Sequence, residues 1–287
     1  MTKERKCVIL IAMKKIGSET MVTLIRYDAT NTYLISDKNG SLLFDTGWAG
    51  TFPLLCKTLG EKKLRLQDIK YLLISHFHPD HMGIAQQLAD AGVTIAAAQL
   101  QREFLHFSDS IFEKQKNSGF VPIDDSKVHF FELDKSREFL STLGISGEIL
   151  HTPGHSDDSI SLWLEDERAL LVGDLPPLYE LEMHKGTLVG ESWERLLALR
   201  PRTVYYAHAK TAELEAAENK ALPNTDSDTY ALVRKIIKLV DKGNSPQQIQ
   251  QKTCADAGFI SDVSRMYVTH PGVSVQGILD RIEIKDM

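Results

Sequence analysis

One short run of residues, His76-Phe77-His78-Pro79-Asp80-His81, limits most strongly what this chain can fold into. It follows an apolar segment, Tyr71–Ile74, whose composition predicts a short buried strand. Neutral imidazoles and a carboxylate are the usual ligands of Zn²⁺ and related ions, and a loop at a strand end can converge them. The first two histidines can point to one side, which leaves the aspartate and the last histidine for a neighbouring position. The run therefore predicts a metal site built on the end of a strand.

Around this run, segments typical of strands alternate with segments typical of helices. Strands are predicted at Cys7–Met13, Thr20–Tyr27, Thr32–Ser36, Leu42–Phe44, Tyr71–Ile74, Val93–Ala97, Val128–Leu133, Ile149–His151, Ser159–Leu164, Ala169–Val172 and Thr203–Tyr206. Helices are predicted at Phe52–Leu59, Ile84–Ala91 and Ser192–Leu199. Strand-rich halves interrupted by helices favour a layered α/β fold with two sheets over one parallel sheet.

The character of the chain changes after residue 222. Pro223–Asp228 predicts a linker, and Ser245-Pro246 is typical of a helix N-cap followed by proline at the first helical position. We therefore expect a main domain over residues 1–222 and a helical domain over residues 223–287. Basic and acidic side chains balance in residues 226–287, which argues against a DNA reader and favours a packed cap or a dimer contact.

Composition excludes several classes of protein. The chain has 33 Lys and Arg against 39 Asp and Glu, and this net charge of −6 gives no support for binding polyanions. The longest apolar run, Cys7–Met13, is far below the roughly 20 residues that span a bilayer, and it makes a poor signal peptide. Cys7, Cys56 and Cys254 are too widely separated for a metal or redox pair, so each is expected to be buried in a cytoplasmic protein.

Further short motifs accompany the histidine run in a fixed order. They are Asp45-Thr46-Gly47, Thr152-Pro153-Gly154-His155, Gly173-Asp174 and Ala207-His208. Together with His76-x-His78-x-Asp80-His81, they resemble the motifs of the metallo-beta-lactamase superfamily over roughly residues 7 to 210. The resemblance implies a four-layer αββα sandwich with a small C-terminal helical appendage, and it implies that the metals lie at one edge between the sheets.

The resemblance also implies a ligand for each motif. It gives one metal to His76, His78 and His155, a second metal to Asp80, His81 and His208, and a bridging position to Asp174. Two divalent ions are implied, with zinc expected and manganese or iron as alternatives. The chain departs from the family where Ala207 replaces the usual glycine, so His184 and His270 compete with the preferred His208 for the last ligand position.

Other polar residues receive supporting roles. Asp45 is expected to order the ligand loop by hydrogen bonds rather than to bind metal. Asp80 is a candidate for passing a proton to the leaving group. Tyr179 is a candidate donor to a developing oxyanion, with packing in an apolar loop as the alternative. The remaining histidines are interpreted as structural, His151 as a core or ligand-supporting residue and His106 and His129 without any motif.

The reaction implied by the resemblance is hydrolysis by a hydroxide that bridges two metals, on an ester, thioester or lactone bond of a small molecule. The alternatives are a phosphodiesterase or nuclease of the same superfamily, a persulfide dioxygenase with a single iron, and a binding module without turnover. Asp174 stands where several β-lactam-hydrolysing branches have cysteine, which argues against a true β-lactamase. We expect no nucleic-acid or membrane partner, and a homodimer is left open.

Overall fold

The structure is a computed structural model, and it describes residues 20–115, 119–214, 228–270 and 272–286, with side chains as far as residue 283. The strand predicted at Cys7–Met13 lies outside the described residues. So do residues 223–227 of the predicted linker, and with them the predicted boundary between the two domains.

Among the described residues, six strands form the first sheet in the order of the chain. They are β1 (Met21–Ile25), β2 (Thr32–Asp37), β3 (Gly40–Phe44), β4 (Ile69–Leu73), β5 (Thr94–Ala98) and β6 (Val128–Phe131). The first three strands pair antiparallel, whereas β3 to β6 pair parallel. The parallel part therefore brings the carboxyl ends of four strands to one edge of the sheet.

Five strands form the second sheet, in the order β11-β10-β9-β8-β7. They are β7 (Gly147–His151), β8 (Ile160–Leu164), β9 (Ala169–Leu171), β10 (Thr203–Tyr205) and β11 (Ala212–Glu213). Only β9 and β10 pair parallel, and the other neighbours pair antiparallel. The described residues thus form two mixed sheets, as the alternation of strand and helix patterns predicted.

The side chains divide the molecule into layers, because successive residues of a strand point to opposite faces. On one face of the first sheet, Phe44 and Leu73 pack in the same buried cluster as Leu162 and Leu171 of the second sheet. Its opposite face packs against Leu55 and other residues of the first helices. The outer face of the second sheet packs against a later helix. The predicted four-layer αββα sandwich is confirmed.

In the described part of the chain, six α-helices lie within the sandwich. They are α1 (Phe52–Glu61), α2 (Pro79–Met82), α3 (Ala85–Asp90), α4 (Asp109–Lys114), α5 (Ser136–Thr142) and α6 (Leu188–Ala198). The sequence did not predict α5, a short helix, and it predicted a loop where α2 forms one turn with proline at its first position. Helix α6 begins four residues before the prediction, because the Thr187 side chain accepts a hydrogen bond from the Gly190 backbone.

The predicted C-terminal helices are present and have their own core. They are α7 (Asp228–Asp241), α8 (Pro246–Thr253), α9 (Ala257–Thr269) and α10 (Val275–Asp286). Val233, Ile249, Ile260 and Ile278 belong to one buried cluster that all four helices share. The predicted N-cap at Ser245 is confirmed, since its side chain accepts a hydrogen bond from the backbone of Gln248.

Helix α10 is attached to the sandwich by buried polar contacts. Asp280 is 2% exposed and accepts a hydrogen bond of 2.8 Å from the hydroxyl group of Tyr179. Glu180 is also buried and accepts a hydrogen bond of 2.8 Å from the backbone of Ser274. These contacts join α10 to the segment that follows β9, so directed hydrogen bonds hold the C-terminal helices to the sandwich.

We expect Asp280→Ala to lower the free energy of unfolding by about 1–3 kcal/mol, because the buried hydroxyl group of Tyr179 would lose its acceptor. Urea unfolding of wild type and variant measures this change. Asp241→Ala is the matched control, since Asp241 accepts the same kind of hydrogen bond from Tyr267 at an exposed position. Equal losses in the two variants would contradict a special contribution of the buried contact.

Two simple predictions about the surface are also tested. Cys56 and Cys254 are exposed free thiols, so their predicted burial is wrong, and Cys7 lies outside the described residues. Cys254 ends α8 in a left-handed conformation, which places it at a turn rather than in a core. Of the helices in the described segments, none has both the length and the apolar composition needed to cross a bilayer.

Candidate metal centre

The structure brings all seven candidate ligands together at one edge of the sandwich. Each lies on a loop or helical turn just after the carboxyl end of a strand, with the histidine run after β4 and the others after β7, β9 and β10. The seven are His76, His78, Asp80, His81, His155, Asp174 and His208. Both sheets therefore contribute to the cluster, although the residues are spread over more than 130 positions of sequence.

Three histidines form the first group of ligand atoms. The Nδ1 atom of His78 lies 3.0 Å from Nε2 of His76 and 3.1 Å from Nε2 of His155. The Oδ2 atom of Asp174 lies 3.3 Å from Nε2 of His155 and 4.0 Å from Nε2 of His76. Three imidazole nitrogens and one carboxylate oxygen therefore surround a single point.

A second group lies on the other side of Asp174. The Oδ1 atom of this carboxylate is 3.1 Å from Nε2 of His81 and 3.3 Å from Nε2 of His208. The Oδ2 atom of Asp80 is 3.0 Å from Nε2 of His208 and 3.7 Å from Nε2 of His81. Asp174 thus presents one oxygen to each group.

These distances fit divalent metal ions. Two ligand atoms about 2.0–2.2 Å from a tetrahedral ion lie about 3.3–3.6 Å from each other, close to the separations in both groups. Nε2 of His81 and Oδ1 of Asp174 are buried without a hydrogen bond in the described structure, although they are only 3.1 Å apart. Buried polar atoms without partners are costly, and an ion between them would remove that cost.

Hydrogen bonds on the far side of the imidazole rings orient them toward the centre. Nδ1 of His81 lies 3.0 Å from Oδ2 of Asp45, and Nδ1 of His208 lies 3.2 Å from the carbonyl oxygen of Ala29. Both acceptors select the tautomer with the proton on Nδ1. This leaves the Nε2 lone pair of each ring free for a metal ion.

Asp45 holds the ligand loop in the way the sequence predicted. Its side chain is fully buried and accepts hydrogen bonds from the backbone of Ser75 at 2.6 Å and from the Ser75 hydroxyl group at 2.8 Å. Its backbone has φ +64°, a left-handed conformation that aspartate tolerates better than most residues. Asp45 therefore fixes both the start of the histidine run and the ring of His81.

The electrostatics of the centre keep both carboxylates ionised. Burial would raise the pKa of Asp174, but the neighbouring His208 and His81 hold that pKa well below its usual range. Burial likewise opposes ionisation of Asp80, and His81 and His208 outweigh it, so the pKa of Asp80 is also lowered. Burial lowers the pKa of His76 well below its usual value. Anionic carboxylates and neutral imidazoles are the forms that bind metal. Burial opposes protonation of His81 and His208, but Asp174 and Asp80 outweigh it and raise the pKa of both rings, so metal binding at the second group would displace protons from them.

Glycine is required immediately before Asp174. Gly173 has φ +54°, and a Cβ atom placed there would lie 2.6 Å from the hydroxyl oxygen of Ser75. The two sheets approach each other at this point, and the absent side chain allows it. In this motif, Gly173 thus allows the close approach of the backbone to Ser75, and Asp174 supplies the candidate ligand.

Several supporting residues were missed by the sequence analysis. Asn31 donates hydrogen bonds from Nδ2 to the carbonyl oxygens of Tyr206 and Ala209, at 3.0 and 3.2 Å, and its backbone NH bonds to Ala207. Tyr33 donates a hydrogen bond of 2.8 Å to the carbonyl oxygen of Tyr206. These bonds hold the segment that carries the last histidine. No local pattern reveals partners that are more than 170 residues apart.

A second missed group supports the histidine run. Asp158 is buried and accepts a hydrogen bond of 2.8 Å from the backbone of Phe77. Gln101 is buried as well, and its side-chain NH₂ group donates to the carbonyl oxygens of Ile74, Ser75 and Asp158. Both satisfy backbone groups that an irregular loop leaves without partners.

The remaining predicted residues lie elsewhere. His184 and His270, the competitors for the last ligand position, line a cavity beside the centre and are absent from the ligand groups found among the described residues. Ala207 has no left-handed backbone, so the absence of glycine there needs no compensation. His106 is exposed and pairs with two aspartates, and Nε2 of His151 bonds to the backbone of Asp157.

The structure gives Tyr179 a structural role. Its hydroxyl group donates its single proton to Asp280, and burial followed by the charge of Asp280 raises its pKa. This bond to Asp280 differs from both predicted roles, the oxyanion donor and the packing in an apolar loop, and it engages the proton that an oxyanion donor would need. The sequence could not reveal this bond, because Asp280 lies 101 residues away.

Comparisons with known proteins agree with this geometry. The model of the metallo-beta-lactamase superfamily matches residues 25–208, more than half of the chain. Among solved structures, a metallo-beta-lactamase family protein from Thermus thermophilus has a TM-score of 0.51 at 19% identity, over 93% of both chains. A protein solved in a di-iron-bound form has a TM-score of 0.51 at 20% identity, over 68% of this chain and 96% of its own. Both likenesses concern the fold.

Curated relatives match a smaller part of the chain. Lactamase-like protein ptaB of Pestalotiopsis fici is 33% identical over 50% of this chain and 39% of its own length. The atrochrysone carboxyl ACP thioesterase of Claviceps purpurea is 30% identical over 69% of this chain and 57% of its own length. The matches thus span well under two thirds of these relatives. The family model, the sandwich and the motifs together establish that the chain belongs to the metallo-beta-lactamase superfamily.

Proposed function

We propose that the protein is a metal-dependent hydrolase that cleaves an ester, thioester or lactone bond of a small molecule, with a thioester as the first choice. The observation that carries this proposal is the position of Asp174, which turns one carboxylate oxygen to each of two groups of ligand atoms. Such an arrangement suits two ions that share a bridging ligand. Zinc is the expected metal, and manganese and iron remain alternatives.

In this proposal, some residues of the chain bind the metal ions and others orient those ligands. Two divalent ions held by the seven ligands would supply a hydroxide nucleophile at neutral pH and would polarise the substrate carbonyl group. Asp45 and Ser75 keep the histidine run in place, and the backbone of Ala29 orients His208. Asp80 is our candidate for passing a proton to the leaving group.

The choice of a thioester is supported by the relatives. Several curated proteins similar to this chain are named atrochrysone carboxyl ACP thioesterase. The similarity extends over only part of those proteins' length, so their own substrates are not transferred. We retain the predictions of a small-molecule substrate, of no nucleic-acid or membrane partner, of a cytoplasmic location and of separate catalytic and helical domains as parts of this proposal.

Metal content per chain tests the proposal directly. We expect elemental analysis to find two divalent ions in the wild type and one in Asp80→Ala and in His208→Ala, because these residues belong to the second ligand group. Thioester hydrolysis should fall in both variants. His106→Ala is the control, since His106 is an exposed histidine outside the ligand groups.

Three results would count against the proposal. A single iron that persists in His208→Ala, together with oxidation of persulfide, would replace hydrolysis by sulfur oxygenation. Turnover of bis(p-nitrophenyl) phosphate without turnover of any thioester, ester or lactone would favour a phosphodiesterase. Two bound ions without turnover of any of these compounds would favour a binding module.

A further inference from the structure

A cavity of about 300 Å³ opens beside the candidate metal centre. Its floor contains two candidate ligands, His155 and Asp174. One wall comes from the segment after β9 and the start of α6, and the opposite wall comes from the end of α9 and from α10. The sandwich and the C-terminal helices therefore both line the cavity. A substrate that reaches the metal centre through it contacts both parts of the chain.

Arg281 of α10 is the one arginine or lysine among the described residues that line this cavity. It is half-buried, and its Nη1 atom makes one long hydrogen bond of 3.4 Å to the carbonyl oxygen of Gly277, its own helix neighbour. Within the described part of the chain, the guanidinium group has no carboxylate within ion-pair distance. A guanidinium group carries five donors in a fixed fork, so most of its capacity to bind a carboxylate or phosphate is unused.

The acidic groups near Arg281 are already engaged. Glu180 lines the same cavity, but it is 4% exposed and accepts a hydrogen bond from the backbone of Ser274. Asp280 accepts hydrogen bonds from Tyr179 and from Gln276. With one guanidinium group against these two carboxylates, the wall has no net positive charge, so an anion would be bound by the unused donors of Arg281 itself. The bonds of Glu180 and Asp280 hold α10 and place Arg281 at the cavity.

The rest of the lining fits a partly apolar molecule. Pro176, Val189 and Val273 contribute apolar surface to the same cavity as Arg281. The two histidines of the lining, His184 and His270, complete the polar part, and burial together with the charge of Arg281 lowers the pKa of His270. Arg281 is the one side chain among the described lining residues that carries a positive charge at any ordinary pH.

We propose that Arg281 is a specificity-determining residue that binds an anionic group, a carboxylate or a phosphate, on the substrate. The substrate would place its reacting carbonyl group at the metal centre, its apolar part along the valines, and its anionic group on the guanidinium fork. This inference rests on the proposed hydrolysis and deepens it, since it limits the substrates to acidic ones. A charged hydrogen bond to such a group contributes enough for a preference of roughly ten- to hundredfold.

Matched pairs of substrates test this proposal. The first pair consists of N-acetylcysteamine thioesters whose acyl chain ends either in a carboxylate or in the isosteric carboxamide. In the second pair the acyl chain is neutral, and the thiol part of the thioester carries either the carboxylate or the carboxamide. A phosphate-bearing thiol, compared with its alcohol, distinguishes the two kinds of anion. We expect wild type to prefer the anionic member of at least one pair by tenfold or more in kcat/KM, mainly through a lower KM.

Arg281→Gln should reduce that preference to near unity, and Arg281→Lys should retain part of it. Arg265→Gln is the matched control, because Arg265 is an exposed arginine of α9 that is paired with Asp262 and does not line the cavity. The preference should be unchanged in this control. Melting temperatures of the variants show whether each one is folded. Equal turnover of anionic and neutral substrates by wild type, or an unchanged preference in Arg281→Gln, would overturn the proposal.

A binding measurement separates this inference from the proposed function. Calorimetric titration of the metal-loaded protein with dicarboxylates from malonate to adipate, and with their monoamides, needs no turnover. A preference for one diacid that is lost in Arg281→Gln supports the anion site even if no thioester is hydrolysed. Turnover of neutral thioesters without any such preference in binding would support the proposed hydrolase and would refute the anion site.

Discussion

Asp174→Asn is expected to empty both metal positions. The substitution preserves the size of the side chain but removes its charge and replaces one oxygen by an NH₂ group, which cannot bind a cation. Each oxygen of Asp174 faces a different group of ligands. In either orientation of the amide, one group therefore loses its oxygen ligand from residue 174, and both groups lose the negative charge. We expect less than one ion per chain by elemental analysis, and a loss of hydrolysis greater than hundredfold, since even indirect partners of a metal change affinity by about 10–100-fold.

Asp157→Asn is the control for this experiment, because it makes the same chemical change at an exposed carboxylate near His155. Its metal content and kcat/KM should match those of wild type. If Asp174→Asn still bound two ions, the shared-ligand arrangement would be wrong and the two groups of ligands would have to be independent sites.

Asp45→Asn is expected to give the second-largest effect although Asp45 is not a candidate ligand. Asparagine tolerates the left-handed backbone at this position, so the change acts through hydrogen bonding alone. An amide that accepts from the Ser75 backbone turns its NH₂ group toward two donors, the Ser75 hydroxyl group and Nδ1 of His81. We expect the affinity for the second ion to fall by about 10–100-fold, since His81 loses the partner that orients it.

The same variant should also be less stable without metal. Buried donors left without acceptors cost about 1–3 kcal/mol, and urea unfolding of the metal-free protein measures that cost separately from metal binding. Ser75→Ala is the comparison, because it removes the hydroxyl group and leaves the bond between His81 and Asp45 in place. Its effect on metal affinity should be the smaller one. Wild-type affinity for both ions in Asp45→Asn would show that this carboxylate does not position His81.

The sequence predicted the layered fold and a metal site at the histidine run because both leave a local signal, and the resemblance to the metallo-beta-lactamase superfamily supplied the other ligands. Runs of alternating or wholly apolar residues mark the strands, and the ligands occur in compact motifs at strand ends such as His76–His81. Short helices left no such signal. Helix α5 has only seven residues, too few for a helical period to stand out, and α2 is one turn within the histidine run.

The supporting contacts and the substrate cavity could not be predicted, since both depend on residues that meet only in the folded chain. Asn31 donates a hydrogen bond to the segment of His208 although it lies 175 residues before Tyr206, and Asp280 accepts the hydrogen bond of the Tyr179 hydroxyl group. The exposure of Cys254 depends on its place at the end of a helix rather than on its apolar character. Residue type alone gave the wrong or incomplete role in each case.

The hydrogen bonds from Asn31 and Tyr33 to the segment of His208 make the two metal positions unequal. The second position depends on contacts between segments that are far apart in sequence. The three histidines of the first group all lie within residues 76 to 155, whereas the second group needs His208, held by Ala29 and Asn31 from the other sheet. Brief separation of these two distant segments would release the second ion and leave the first in place. Metal exchange should therefore proceed at two rates, and the slower rate should belong to the ion held by His76, His78 and His155.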